Sequence, residues 1–127
     1  MDRKVVTSEN APKALGPYSV AIRAGMFVFA SGQLGLDPQS GNLVPGGIET
    51  ETRQALTNIR HVLADSGSGL DAVVKTTVFL KDMAEFSKMN AVYAEFFPEN
   101  PPDRSTVQVA ALPRDGTVEI EAVALLK

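Results

Sequence analysis

Hydrophobic residues fall along this chain in two rhythms. Six short runs are rich in β-branched and aromatic residues and bounded by Gly, Pro or Asp: "KVVT" (4–7), "SVAIRA" (19–24), "MFVFAS" (26–31), "VVKTTVFLK" (73–81), "STVQVA" (105–110) and "TVEIEAVAL" (117–125). That composition predicts strands. Two longer segments repeat with helical period instead. In the first, 48–65, the apolar stripe is Ile48, Ala55, Leu56, Ile59, Val62 and Leu63, and "SGSG" (66–69) stops it, with Gly67 predicted as a left-handed cap. In the second, 82–97, the stripe is Phe86, Met89, Tyr93, Phe96 and Phe97. Asp82 and Glu85 have capping-box spacing, and Pro98 cannot continue the helix.

The order of elements predicts a βαβαβ core with hairpin-like additions at each end. "AG" (24–25) marks a tight turn, and residues 101–126 read as two strands joined by a turn. Right-handed crossovers place both helices on one face of the sheet. The expected fold class is therefore α+β, a mixed sheet with two helices on one face, in a single domain over residues 1–127. "MFVFAS" and "AVALL" are apolar at consecutive positions, hence on both faces of the sheet. Two helices cover only one of them. The other would be an exposed apolar surface of a kind that monomers avoid, so self-association is expected.

Composition narrows the chemistry. Apolar residues make up 44% of the 127 and charged residues 21%, with a net charge of −3. No positive field of the kind phosphate backbones demand can arise from this balance, which argues against nucleic acid as the main partner. There are no cysteines and one histidine, so thiolate catalysis, zinc–sulfur sites and His clusters are excluded, and no loop has the closely spaced Asp ligands of a calcium site. No metal or other cofactor is expected. The N-terminus lacks the apolar core of a signal peptide, and no apolar run approaches the length of a bilayer span. The expected location is the cytoplasm, with no membrane partner.

Several residues are candidates for chemistry. The lone histidine, His61, shares a helix face with Gln54, Asn58 and Asp65, opposite the apolar stripe, and reads as a solvated side chain. Asn90 lies among the buried positions of the second helix, where its carboxamide needs a partner: it either ties the helix to a neighbouring backbone group or serves a site. Tyr18 follows Gly16-Pro17, a pair that bends and stiffens the chain and so presents the ring at a defined spot. It is either a lid on the core or a pocket residue. Ser31-Gly32 ends a strand where glycine permits close approach by a ligand or another chain, or marks a simple strand exit. Arg104, Thr106 and Gln108 share one strand face, as do Glu119 and Glu121. If the last two strands form a hairpin, Arg104 and a glutamate lie on one side. They then make either a cross-strand ion pair or a pocket wall, in which a guanidinium fork grips a carboxylate and a glutamate handles water.

The segments "ENAPKALGPYSVAI", "ASGQLGLDPQSG", "VVKTTVFLKDM", "MNAVYAEFF" and "PPDRSTVQVAALPRDGTVEIEAVAL" resemble the RidA (YjgF) family, in order and from near residue 8 to residue 125. The resemblance implies a chorismate-mutase-like fold and a homotrimer with three clefts between subunits. It also implies enamine/imine deaminase activity, in which 2-imino acids released by pyridoxal-phosphate enzymes such as threonine dehydratase are hydrolysed to 2-oxo acids and ammonia. The family's carboxylate-binding arginine falls on Arg104 and its water-handling glutamate on Glu119. Tyr18, Ser31, Gly32 and Asn90 match other positions at the cleft. One departure stands at Thr106, where many members have cysteine. The resemblance assigns that position's backbone carbonyl to the substrate nitrogen, so threonine preserves the contact and removes any thiol-based regulation. Two other classes compete: a non-catalytic metabolite-binding protein using the same cleft, and a messenger-RNA ribonuclease. Against the ribonuclease stand the acidic balance and the few aromatics without a basic setting.

Overall fold

In a computed structural model of the chain, which describes residues 2–127, six strands form one sheet. They are β1 (Arg3–Val6), β2 (Ala21–Ala24), β3 (Phe27–Leu34), β4 (Val73–Leu80), β5 (Asp103–Gln108) and β6 (Val118–Leu125), in the order β1-β2-β3-β6-β4-β5. Only the β4–β5 pair is parallel. Helices α1 (Ile48–Asp65) and α2 (Phe86–Phe96) pack side by side on one face. This is the mixed α+β layer arrangement expected from the two hydrophobic rhythms. Met1 lies outside the described residues.

Local chemistry explains the boundaries. The predicted stripe of α1 is buried throughout, and the helix ends in a Schellman motif. Ser68 N–H donates to the Leu63 carbonyl at 2.8 Å and Gly67 N–H to that of Ala64 at 3.1 Å, with Gly67 at φ 84°. Gly25, at φ 59°, turns β2 into β3 as the "AG" pair predicted. The second helix differs from expectation. Asp82 caps not the α-helix but a single 3₁₀ turn, Met83–Glu85, by accepting from Ala84 N–H at 2.9 Å. The tighter turn brings Met83 N–H onto the Gln108 side chain at 2.7 Å, tying the start of the helical segment to β5.

The hairpin expected over residues 101–126 does not form. β4 lies between β5 and β6, and the connection crosses its end, where Val109 N–H donates to the Leu80 carbonyl at 2.9 Å and Lys81 N–H to that of Thr117 at 3.0 Å. The reason is burial. β6 is apolar on both sides of its C-terminal half and gains most between two neighbours, whereas the polar β5 tolerates the edge.

Among the described residues, no helix or strand of the same chain covers the sheet's second face. Phe27, Phe29 and Val107 point from it with 40%, 47% and 43% of their surface exposed, and Phe29 is flanked in register by Ile22 and Val123. The apolar open face predicted from "MFVFAS" and "AVALL" is present.

Candidate functional site

Alternation along β6 turns Val118, Ile120, Ala122 and Ala124 toward the helices, all buried. Glu119 and Glu121 therefore project from the open face. Across from Glu121, β3 is irregular: its register with β6 shifts between Ala30, paired with Ala122, and Gln33, paired with Ile120, leaving Ser31 and Gly32 out of the regular ladder. The Glu119 side chain crosses β3 at Gly32, where an added Cβ would lie 2.8 Å from its Cδ. The glycine is required here for close approach.

A cleft of about 480 Å³ opens at this point, lined by Pro12, Leu15, Tyr18, Ser31, Gly32, Glu119 and Glu121, among others. Tyr18 arrives on a three-residue turn about Pro17, with its N–H donating to the Gly16 carbonyl at 2.8 Å. Its hydroxyl accepts from Leu15 N–H at 3.0 Å, which leaves the phenolic hydrogen free to donate into the cleft. Ser31 has the opposite polarity. Its hydroxyl donates to the Ser19 carbonyl at 2.6 Å, so toward a ligand it can only accept. Burial, and secondarily the Glu121 charge, raise the Glu119 carboxyl above the usual carboxylate range.

Arg104, Asn90 and Thr106 are elsewhere. In register, Arg104 pairs with Thr76, and Thr76 with Ala122, a row facing the helices. Glu119 pairs with Phe79 on the open face. Within one chain the arginine and the glutamate thus lie on opposite faces of the sheet, and the expected same-side arrangement is overturned. The reason is the strand order: with β4 inserted, β5 takes its facing from β4 and not from a hairpin turn.

The guanidinium stacks over Tyr93 at 4.7 Å and Phe86 at 5.5 Å from the ring centroids. Tyr93 is fixed in turn by a 2.7 Å hydrogen bond between its hydroxyl and that of Thr76. Burial raises the Tyr93 phenol, while the Thr76 bond and the Arg104 charge oppose that rise. Among the described residues the ion pairs are Arg53–Glu95, Lys75–Asp103, Lys81–Asp115 and Lys127–Asp71, none of which involves Arg104. Asn90 Oδ1, on the helix stripe between Phe86 and Tyr93, and Thr106 Oγ1 are buried without partners. Asn90 therefore does not tie its helix to a neighbouring backbone group through that oxygen. Arg104 and Thr106 share one face of the edge strand β5, and Asn90 lies on α2 between the two residues whose rings carry the guanidinium.

Polar residues of α1 lie in the core. Asn58, assigned to the solvated face with His61, is fully buried. Its Nδ2 donates to the Leu36 carbonyl at 2.9 Å and to that of Leu34 at 3.2 Å, fixing the chain where it leaves β3. Glu51 is also buried, and accepts Thr117 N–H at 2.9 Å just ahead of β6. Both stand at helical spacing from Ala55, in line with Ile48 and Val62, and that spacing was the available signal. His61 is half-buried, with Nδ1 2.9 Å from the Asn10 carbonyl oxygen.

Comparison with known proteins agrees with this architecture. Residues 8–126 match the endoribonuclease L-PSP family. A RutC family protein of Pyrococcus horikoshii is 52% identical over 122 residues, covering 96% of this chain and 97% of that protein. The 2-iminobutanoate/2-iminopropanoate deaminase of Bos taurus is 50% identical over 123 residues, covering 97% and 90%. The crystal structure of E. coli TdcF with bound serine is similar at a TM-score of 0.92 and 37% identity, covering 98% of this chain and 99% of that one. The chain belongs to the endoribonuclease L-PSP family, known also as the YjgF/RidA family.

Proposed function

We propose that the protein hydrolyses reactive 2-imino acids and their enamine tautomers, such as 2-iminobutanoate, to 2-oxo acids and ammonia. The observation that carries this reading is the separation of two complementary polar groups by the thickness of one sheet. The Glu119 cleft holds two carboxylates and Lys13, and offers both a donor and an acceptor hydroxyl. The unpaired Arg104 lies at the edge of the same sheet, propped on aromatic faces. A second copy seated on the apolar open face would bring its Arg104 to the first copy's Glu119. A chorismate-mutase-like homotrimer with three such clefts is the assembly proposed, and the deaminase names of relatives about half identical in sequence support the reaction.

In this mechanism the fork of Arg104 clamps the substrate carboxylate by parallel hydrogen bonds. Asn90 lines that side, the backbone carbonyl of Thr106 accepts from the substrate nitrogen, and Tyr18 and Ser31 orient the imine. Glu119 accepts a proton from water as the water oxygen bonds to the carbon of the protonated imine, whose C=N π electrons pass to nitrogen, giving a neutral carbinolamine. It then returns that proton to nitrogen, and as the C–N bond breaks the carboxylate takes up the carbinol O–H proton and passes it to the departing ammonia, releasing ammonium and the 2-oxo acid. The imine carbon is already electrophilic, so orientation and a placed water are the protein's main contribution. The substrates proposed are those leaving pyridoxal-phosphate enzymes such as threonine dehydratase, and the location proposed is the cytoplasm. The test is an assay in which threonine dehydratase or an amino-acid oxidase generates the imine in situ. Imine loss no faster than in buffer would refute the reading.

A second reading, a non-catalytic metabolite-binding protein, draws support from the bound serine of E. coli TdcF. It predicts saturable binding of 2-oxo acids with no acceleration in the same assay.

A further inference from the structure

Glu51 has no part in the cleft, yet it is a carboxylate only 5% exposed in the apolar stripe of α1. An apolar residue would fill that place without the cost of burying a charge. Its Oε1 accepts the Thr117 N–H at 2.9 Å, and Lys81 N–H takes the Thr117 carbonyl at 3.0 Å. The residue immediately ahead of β6 is thereby held from both sides, two positions from Glu119. The chain leaving β3 closes on the same helix residue. A Cβ on Gly35 would lie 2.6 Å from Glu51 Cα and 2.7 Å from its carbonyl oxygen.

Both flanks of the place where Glu119 crosses Gly32 thus touch Glu51, with Asn58 of the same helix holding the Leu34 and Leu36 carbonyls beside it. The sheet pairs Glu119 with Leu34 and Phe79, but it leaves Gly32 unpaired, because the β3–β6 ladder is interrupted between Ala30 and Gln33. Pairing therefore sets the face of Glu119 but not how closely the irregular stretch at Gly32 approaches its side chain, which depends on what packs at either end.

We propose that Glu51 is a positioning residue that aims Glu119 into the cleft by clamping the start of β6 against the end of β3. The proposal rests on the deaminase reading for its catalytic consequence. Its structural half stands apart from that reading.

The experiment compares Glu51→Leu and Glu51→Gln in the full-length assembled protein, each alone and combined with Glu119→Gln, using imine generated in situ. Glu51→Leu should lower kcat by about ten- to a hundredfold, the scale of a misplaced catalytic group, with KM within about twofold. Glu51→Gln keeps an acceptor for Thr117 N–H and should remain within about threefold of wild type by the same reasoning. In the Glu119→Gln background, Glu51→Leu should cost nothing further, because the group it aims is gone. Equal losses in both backgrounds, or wild-type kcat for Glu51→Leu, would overturn the proposal. Amide hydrogen exchange supplies a readout independent of turnover: Thr117 should exchange at least about tenfold faster in Glu51→Leu and remain protected in Glu51→Gln. Unchanged exchange overturns the clamp. Full activity of Glu119→Gln with faster Thr117 exchange in Glu51→Leu would refute the glutamate mechanism and leave the clamp standing.

Discussion

Gly32 and Glu119 meet across β3 and β6 so closely that the glutamate side chain occupies the space a Cβ on Gly32 would need, 2.8 Å from Cδ and 2.9 Å from Cγ. Gly32 is not at a positive φ, so alanine suits its backbone and only the glutamate must move. Gly32→Ala should fold and melt near wild type while turnover falls about ten- to a hundredfold, the cost of displacing a placed group. Thermal melting and initial rates on the same sample check this. A variant with unchanged rates would mean that Glu119 acts from another position or not at all.

Arg104 makes no ion pair among the described residues and rests on Tyr93 and Phe86. Removing it should leave the fold intact. Arg104→Ala deletes a charge-assisted contact worth about 1.5–3 kcal/mol. That corresponds to roughly one to two orders of magnitude in turnover. Arg104→Lys should also be poor, because lysine lacks the planar fork. Wild-type activity of an assembled Arg104→Ala variant on 2-iminobutanoate would remove the arginine from the mechanism.

Glu119 titrates above the usual carboxylate range because of burial and then the Glu121 charge. Between the unfolded and the raised folded value, the folded state binds more protons than the unfolded. Stability contributed by this group is therefore present at lower pH and lost as pH rises through that window. Glu119→Gln should flatten this part of the pH–stability curve and raise the urea midpoint at neutral pH. Glu121→Gln removes the secondary cause, so the acid limb of the activity profile should move to lower pH. Urea titrations across the carboxylate range, with pH–rate profiles, test both. An unmoved acid limb would separate Glu119 from the ionisation that controls turnover.

Phe29 stands on the open face between Ile22 and Val123 with nearly half its surface exposed. If a second copy covers this face, Phe29→Lys would bury a charge against apolar surface, a cost an interface cannot absorb. The variant should sediment as a folded monomer at micromolar concentration and lose activity, since each site would draw Arg104 from a neighbour. An assembled and active Phe29→Lys protein would place the interface elsewhere.

Much of this architecture was legible from hydrophobic rhythm. The helix over 48–65, its left-handed cap at Gly67, the turn at Gly25 and the apolar second face of the sheet all follow from local pattern. Local physics fixes such features, because period, cap and turn each depend on neighbours within a few residues. The order of strands was not legible. Residues 101–126 look like a hairpin because they are adjacent in the chain, and only competition for the central position of the sheet put β4 between the two strands. Asn58 was misread for a related reason: polarity suggested solvent, whereas its spacing from Ala55 and Val62 placed it in the core.

The sequence by itself determined which residues form strands and helices, and that one face of the sheet would need cover. Only the tertiary structure decided that Arg104 and Glu119 fall on opposite faces, that Glu119 passes over Gly32, and that α1 grips the start of β6 through Glu51. The physical reason is that a side chain's face depends on which strand lies beside its own. That choice is made by burial summed over the whole sheet, and no short stretch of sequence contains it.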